Sequence, residues 1–591
     1  MLTENKYNFG IVGNCSYLAY IDLQANVRWM CMPRFDSSFI FGSLLDNGKG
    51  GEFSIKPSDT NFKSSQYYLK NTNILVTEFK IPEGKFRVMD FAPRFTQYDR
   101  YFKPLMLFRK IELLEGNPFI IVKCKPVGEY GELNPEIVPG SNHIRYLNLS
   151  SQVRLTTDIP LNYIISEKPF VLNETKYLAF TYGLPLEASL LETSELFLEK
   201  THSYWTNWVK STSVPSIYQD EVIRSALVLK LHQYEDTGAV IASGTTSLPE
   251  FNGSGRTWDY RYCWMRDTYY TLNAFNNIGH FEELEKYFHF IQNIILNEKY
   301  HIHPLYTILG DHAPVEKILP LQGYLNNKPV RIGNNAVDQV QNDVYGQILI
   351  SLLPLFIDKR LNYFDTKKSI FISEWLLDRI AENIDTPDSG IWENGSTQSF
   401  HCNTYLFHWA GCMAGIKIGQ NLQNTDLIQK SSELLEKVKL YIEKCYDPKK
   451  KAYTQALGSS QLDASNLQMV IMNYLDAKNE KTIMHIRAHE KELFNNGLYF
   501  RYSRDDLGVP KTSFIICGFW YAEALSVIAE YDKARQVIEN LIKCSNHLGL
   551  FSEDADEYCG QWGNFPQTYS HVGLINAVYR LAIKLDKPLF I

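Results

Sequence analysis

The hydrophobic period of the chain changes once, near Ser216, and nothing else in the sequence constrains the fold as tightly. Downstream of that point, apolar residues recur at helical spacing in twelve segments: 217–233, 265–278, 281–298, 337–357, 367–384, 402–419, 425–446, 465–476, 478–493, 513–530, 532–547 and 570–585. Twelve helices joined by loops of unequal length make six hairpins, each an outer helix followed by an inner one. Closing an (α/α)6 barrel requires that arrangement. A helical solenoid would need a fixed repeat length, and these segments have none.

Upstream, to about Gly183, short apolar runs alternate and are broken by Gly, Pro, Asn and Asp. Examples are Phe9-Gly-Ile-Val-Gly13, Val27-Arg-Trp-Met-Cys31, Phe86-Arg-Val-Met-Asp-Phe91 and Pro118-Phe-Ile-Ile-Val-Lys-Cys124. About ten such runs separated by turn residues predict an antiparallel β-sandwich. The expected organisation is therefore a β-sandwich at 1–184, a helical linker at 185–215 carrying Trp205 and Trp208, and an (α/α)6 barrel at 216–591.

The formal charge of −7 supplies no basic field, which argues against nucleic acid or an anionic membrane as partner. The N-terminal stretch MLTENKYNFGIVGN lacks the basic and apolar regions of a secretory signal, and no apolar run is long enough to span a bilayer. The ten cysteines form no CxxC or Cys/His ligand spacing, so scattered reduced thiols in a cytoplasmic protein are expected rather than a disulfide framework or a metal site. Aromatic residues are abundant, with 10 Trp, 37 Tyr and 33 Phe. Flat aromatic faces suit the apolar C–H faces of sugar rings, although most will simply fill cores.

The residues with chemical potential are not scattered. Arg266-Asp267 opens the second helix, Asp338 to Asp343 the fourth, and Trp392-Glu393 precedes the sixth. Arg501-Tyr502 precedes the tenth helix, and Glu553-Asp554 the twelfth. All lead into even-numbered helices. If these form the inner ring, five polar clusters converge on one mouth of the barrel. There, Trp392 beside Glu393 predicts an apolar setting for a general acid, and Ser552 and Asp554 a polar one for a general base at Glu553. Inversion at a sugar would need the two carboxyls about 6.5–9.5 Å apart.

At these residues the chain resembles glycoside hydrolase family 15, which includes glucoamylases, glucodextranases and trehalases. The ordered set that carries the resemblance comprises Trp29–Asp36, Thr245–Glu250, Trp258–Asp267, Arg331–Asn334, Asp343–Gly346, Gly390–Glu393 and Gly563–His571. It implies an inverting, exo-acting α-glucosidase that needs no metal or cofactor, with Glu393 as acid and Glu553 as base. Arg266 and Asp267 would bind the terminal glucose, Asp267 gripping its outer hydroxyls, and Arg501 and Tyr502 would hold further hydroxyls. Trp392 is expected to face substrate, while Trp258 and Trp264 are expected in the core. Arg34 and Asp36 are expected to form a turn that packs the two halves together rather than to reach the site, and His571 to be structural.

The chain departs from the family at Glu393-Asn-Gly-Ser396, where an Arg usually follows the acid, and at Thr404-Tyr405, where Ser-Lys is usual. Both positions are expected on the leaving-group side. The primary reading is thus a glucoamylase-like enzyme acting on α-linked gluco-oligosaccharides, and the alternative is an α,α-trehalase. A glycoside phosphorylase would need a phosphate site where Glu553-Asp-Ala-Asp556 stands, and a non-catalytic glucan sensor would have lost one of the two glutamates.

Overall fold

The computed structural model describes residues 5–298, 300–361, 366–393, 398–504 and 508–585. The N-terminal half is a sandwich of antiparallel strands. One face is an eight-stranded sheet ordered Glu136–Pro139, His143–Leu147, Val153–Thr157, Lys176–Tyr182, Met106–Gly116, Gly84–Phe91, Leu75–Ile81 and Lys63–Tyr68. The other combines the four strands Phe9–Gly13, Leu18–Asp22, Val27–Cys31 and Phe39–Phe41 with a three-stranded sheet built around Phe119–Lys125. The two are linked by the Asn26–Ser54 bridge. Alternation along the strands sends Phe41, Phe53, Phe79, Phe86, Val88, Ile120 and Phe180 into one core shared by both faces. A buried Arg109 crosses it, donating to Asp90 at 2.7 Å in one sheet and to the Phe53 carbonyl at 3.0 Å in the other.

After a linker helix, Leu190–Lys210, twelve helices follow among the described residues. They are α1 (Gln219–Leu231), α2 (Thr268–Ile278), α3 (Phe281–Asn297), α4 (Asp343–Ile357), α5 (Thr366–Asn383) and α6 (Cys402–Leu422). The second six are α7 (Thr425–Lys444), α8 (Gln468–Ile471), α9 (Glu480–Leu493), α10 (Ile515–Val527), α11 (Tyr531–Lys543) and α12 (Thr568–Leu585). Even-numbered helices pack on one another in a closed ring, α2 on α4, α6, α8, α10, α12 and back to α2, and the odd-numbered ones cover them. Burial follows the same division. Every residue of α10 from Ile515 to Ser526 is buried, whereas α11 buries a single stripe, Ala534, Val537, Ile538 and Leu541.

Three expected boundaries move. The second helix starts at Thr268, after a separate 3-10 turn at Met265–Asp267. The fourth starts at Asp343, because Asn334 caps a short turn at Asn335–Asp338 and the chain then runs extended through Gln339. The eighth shrinks to one turn behind Ala464–Leu467, which Asp463 caps. The cysteine expectation also needs correction. Cys544 and Cys559 are joined by a disulfide, because a turn at 556–560 folds the last loop back toward the end of α11, while the other eight are free and buried. Among the described residues no helix is long and apolar enough to cross a membrane.

The sandwich grips the barrel through buried polar contacts. Arg94, wholly buried, pairs with Glu235, which also meets Lys230 at 3.4 Å. Burial alone would raise the Glu235 carboxyl, but Lys230 and Arg94 hold it down at about 2. Trp29 donates to the Gly244 carbonyl at 2.8 Å. Arg34 and Asp36 pair with each other at 3.0 Å in a turn whose Ser37 carbonyl accepts from Arg261 at 2.8 Å. They pack the two halves together and do not line the cavity described below.

The tightest helix pair is α4 against α6. A Cβ at Gly346 would lie 2.0 Å from the Phe407 carbonyl oxygen, a backbone atom with no freedom to retreat. Gly346→Ala is therefore expected to lower the unfolding free energy by about 3 kcal/mol. Gly458→Ala, with nothing within 4 Å, should cost only about 1 kcal/mol from its left-handed backbone. Urea denaturation of the two variants would distinguish the effects.

Candidate active site

A cavity of about 440 Å³ opens at one end of the barrel, and all eighteen residues that line it sit on segments leading into even-numbered helices. Glu250, Arg256, Trp258, Tyr260 and Arg266 precede α2. Glu316, Arg331, Asn334, Asn335, Ala336 and Gln339 precede α4, and Ile391, Trp392 and Glu393 precede α6. Arg501, Tyr502 and Phe514 precede α10, and Glu553 precedes α12. The convergence expected from the sequence is therefore present, and both Glu393 and Glu553 face this one cavity with Arg266, Trp392, Arg501 and Tyr502. Asp267 stands behind that lining. Its Oδ1 is 3.6 Å from Arg266 Nε and has no hydrogen-bond partner among the described residues. Burial pushes its carboxyl up to about 7, with Arg266 opposing and Glu393 reinforcing.

Glu553 is fully buried. Its Oε1 accepts from the Tyr260 hydroxyl at 2.8 Å and its Oε2 from the Asn564 N–H at 3.3 Å. Burial raises its proton affinity well above the usual carboxylate range, and the neighbouring charges of Asp554 and Glu250 add to this against the pull of Arg501. Arg501 reaches Glu250 at 2.9 Å and Asp554 at 3.7 Å. Asp554 is itself pushed up to about 7, chiefly by burial.

Glu393 has a different setting. Its Oε1 accepts from Trp264 Nε1 at 2.6 Å and pairs with the Arg266 guanidinium. Its backbone is left-handed, with φ +60, a conformation that costs a non-glycine residue about 1–2 kcal/mol. The contrast expected from flanking residues is thus reversed. Glu553 is the carboxyl in the dry setting, and Glu393 is the one paired with a cation. Trp392 does not shield Glu393, because its indole is turned toward Asp463, to which it donates at 2.9 and 2.8 Å. One ring pair joins the two glutamates, since Tyr260 packs edge-on against Trp264 with centroids 5.2 Å apart.

Other expectations resolve individually. Trp258 lines the cavity, with Arg331 4.6 Å above its ring, whereas Trp264 is buried. Thr404 and Tyr405 do not face the cavity. Thr404 donates to Asp388 at 2.9 Å and Tyr405 to the Ile384 carbonyl at 3.2 Å, so this departure from the family pattern lies in the core. Asn394-Gly-Ser396 lies outside the described residues. His571 is buried between Ser225 and the Phe551 N–H, a structural position. Sequence reasoning passed over Glu250, Arg256, Arg331 and Glu316 as cavity residues. The first and third stand inside the quoted motifs Thr245–Glu250 and Arg331–Asn334, which was the available signal.

Two carboxyls facing one cavity, with arginines and aromatic rings around them and an (α/α)6 ring beneath, define a glycosidase. Comparison with known proteins agrees. The family signature described as glycosyl hydrolases family 15 matches residues 216–579, and that described as trehalase-like, N-terminal, matches 7–160. The chain belongs to glycosyl hydrolases family 15. It is 32% identical to a trehalase of Thermoplasma volcanium over 98% of this chain and 93% of that protein. It is also 33% identical to a trehalase of Thermoplasma acidophilum over 95% and 97%, respectively. Among solved structures, a bacterial glucoamylase complexed with acarbose shares the fold, with TM-score 0.69 and 13% identity over 98% of this chain and 95% of that one.

Gly563 marks how closely Glu553 is held. A Cβ there, at φ +71, would lie 2.4 Å from Glu553 Oε2. Gly563→Ala should displace that carboxylate and reduce kcat/KM roughly 100-fold while the protein stays folded. Steady-state kinetics beside a thermal melt would check this, and unchanged kcat/KM would contradict the placement.

Proposed function

We propose that this enzyme is an α,α-trehalase, hydrolysing trehalose with inversion. The observation that carries the reading is likeness along the whole chain, sandwich included, to proteins named trehalase. It displaces the glucoamylase-like reading, for which the solved-structure comparison supplies the fold alone. The cavity is chemically suited to a compact sugar bearing hydroxyls on every side, because Arg256, Arg266, Arg331 and Arg501 all line it, with Trp258 and Trp392 as aromatic walls. We assign the division 1–184, 185–215 and 216–591 to sandwich, linker and catalytic barrel. For a cytoplasmic location the cysteines pull both ways, eight free buried thiols in favour and the Cys544–Cys559 disulfide against.

In this mechanism Glu393 protonates the glycosidic oxygen as the bond to the anomeric carbon breaks. Glu553 removes a proton from the water that attacks that carbon from the opposite face. The attacked ring leaves as β-glucose and the other as α-glucose. The raised proton affinity of Glu553 makes it a stronger base near neutrality. Arg266 with Asp267 behind it, and Arg501 with Tyr502, hold hydroxyls.

Proton NMR of separate reactions with trehalose, maltotriose and isomaltotriose tests the reading. Equal α- and β-glucose from trehalose in the first minutes is expected. Cleavage of maltotriose with trehalose untouched would overturn it. Glu393→Gln and Glu553→Gln should each lose about 100- to 10,000-fold in kcat, and near-native turnover by either would remove that residue from its role.

The pH profile has a definite sign. Glu553 must be ionised to act as base, so kcat/KM falls as pH drops through its raised pKa. Asp554→Asn removes a like charge that disfavours the ionised form, so the acid limb should move to lower pH. Movement to higher pH would contradict the base assignment.

A further inference from the structure

The segment between α3 and α4 gathers nitrogen and oxygen donors that play no part in the reaction proposed above. Glu298 follows the last residue of α3, and His303 and His312 lie farther along the same loop. The ligand atoms these three residues can offer all lie within 4.8 Å of one another. The spacing, five and then nine residues apart, matches no short ligand motif.

The group is held in place by the protein around it. His303 Nδ1 is 2.8 Å from the Val337 carbonyl, which makes that nitrogen the protonated one and leaves Nε2 with a free lone pair. A second hydrogen bond of this kind is what orients imidazole ligands in metal sites. Glu298 Oε1 accepts from the buried Tyr306 hydroxyl at 2.8 Å, and His312 Nε2 lies 2.9 Å from the same oxygen. Tyr306 also takes the His303 backbone N–H at 2.9 Å, so one buried ring fixes the loop at two of the three donors. The His303 and His312 rings lie 4.2 Å apart between centroids, tilted by 50°, and the exposed His301 stands 4.3 Å from His303.

We propose that Glu298, His303 and His312 form a binding site for one borderline divalent transition-metal ion, of which zinc is the representative. Two imidazoles and one carboxylate are a donor set that such ions prefer over magnesium or calcium, and water would complete a tetrahedron. Binding displaces the proton shared between His312 and Glu298 to solvent. The ion would close a loop rather than join the chemistry. Pro304 and Leu305 of that loop pair with Met265 and Trp264, and Val337 adjoins Ala336 of the cavity wall, so the site braces the strand behind Arg266 and Glu393 from outside.

The test uses the tag-free full chain, stripped with EDTA, and needs no substrate. Isothermal titration with Zn²⁺ should give one ion per chain, and a rise in Tm should accompany it. Co²⁺ should give the visible absorption bands of a tetrahedral N/O site. His312→Ala, at an exposed position where folding is not at stake, should weaken Zn²⁺ binding at least tenfold, as should His303→Ala. His301→Ala should leave the stoichiometry at one. Absence of a stoichiometric site, or one that both His303→Ala and His312→Ala leave intact, would overturn the proposal, and either result is independent of which sugar the enzyme cleaves.

Discussion

Three carboxyls, Glu250 and Glu553 in the cavity lining and Asp554 next to them, are all removed from water, and the architecture around them depends on how that charge is met. Taking each ion out of water costs several kcal/mol unless partners replace the lost hydration. Arg501 is the principal partner, bridging Glu250 and Asp554, and Arg256 adds a second cation at 3.3 Å from Glu250. These residues come from the loops before α2, α10 and α12, so the charge balance that conditions Glu553 also fastens three loops together. Loss of Arg501 would leave buried like charges facing one another, which makes the site and the stability of this end of the barrel one property.

The sandwich belongs to the same arrangement. Tyr7 donates to the Gly563 carbonyl at 3.1 Å, directly behind the glycine that Glu553 requires. Asn546, at the start of that last loop, donates to the carbonyls of Tyr7 and Phe9 at 2.8 and 2.9 Å. Trp29 caps Gly244 at the start of the loop that brings in Glu250 and Tyr260. The N-terminal domain thus presses on the two loops that carry and contact Glu553. The buried Arg94–Glu235 pair anchors it where a slip of the interface would strand a charge in the interior.

What could be read from the sequence was whatever depends on local order. Twelve helical periods, the change of period near Ser216 and the placement of polar clusters ahead of even helices are all properties of short windows, and they located the mouth of the barrel. The cavity walls Trp258 and Glu316 lie in irregular segments, and Arg331 in a three-residue strand, with no period to distinguish a wall from a core. The Cys544–Cys559 pair is closed by a loop path that no spacing rule encodes. The contrast between Glu393 and Glu553 failed for a related reason. A carboxyl's environment is set by whatever the fold brings to it, here Arg266 and Trp264 from 127 and 129 residues away for Glu393, and Tyr260 from 293 away for Glu553. The adjacent Trp392 points elsewhere, toward Asp463.

That reversal bears on how Glu393 would serve as a proton donor. In the proposed reaction the pair with Arg266 must part before the Glu393 carboxyl can turn to the glycosidic oxygen. The same guanidinium, however, stands 3.6 Å from the buried Asp267, one of whose oxygens lacks a hydrogen-bond partner among the described residues. A sugar hydroxyl entering between them can donate to Asp267 and accept from Arg266, drawing the cation away from Glu393. With the cation engaged by the sugar, the Glu393 carboxyl is left with its Trp264 hydrogen bond and is free to turn toward the glycosidic oxygen. The left-handed backbone at Glu393 keeps the side chain in a conformation it would not adopt unaided, and so ready to move once the pair is broken. On the proposed reading, the substrate's own hydroxyls release Glu393 from its resting ion pair.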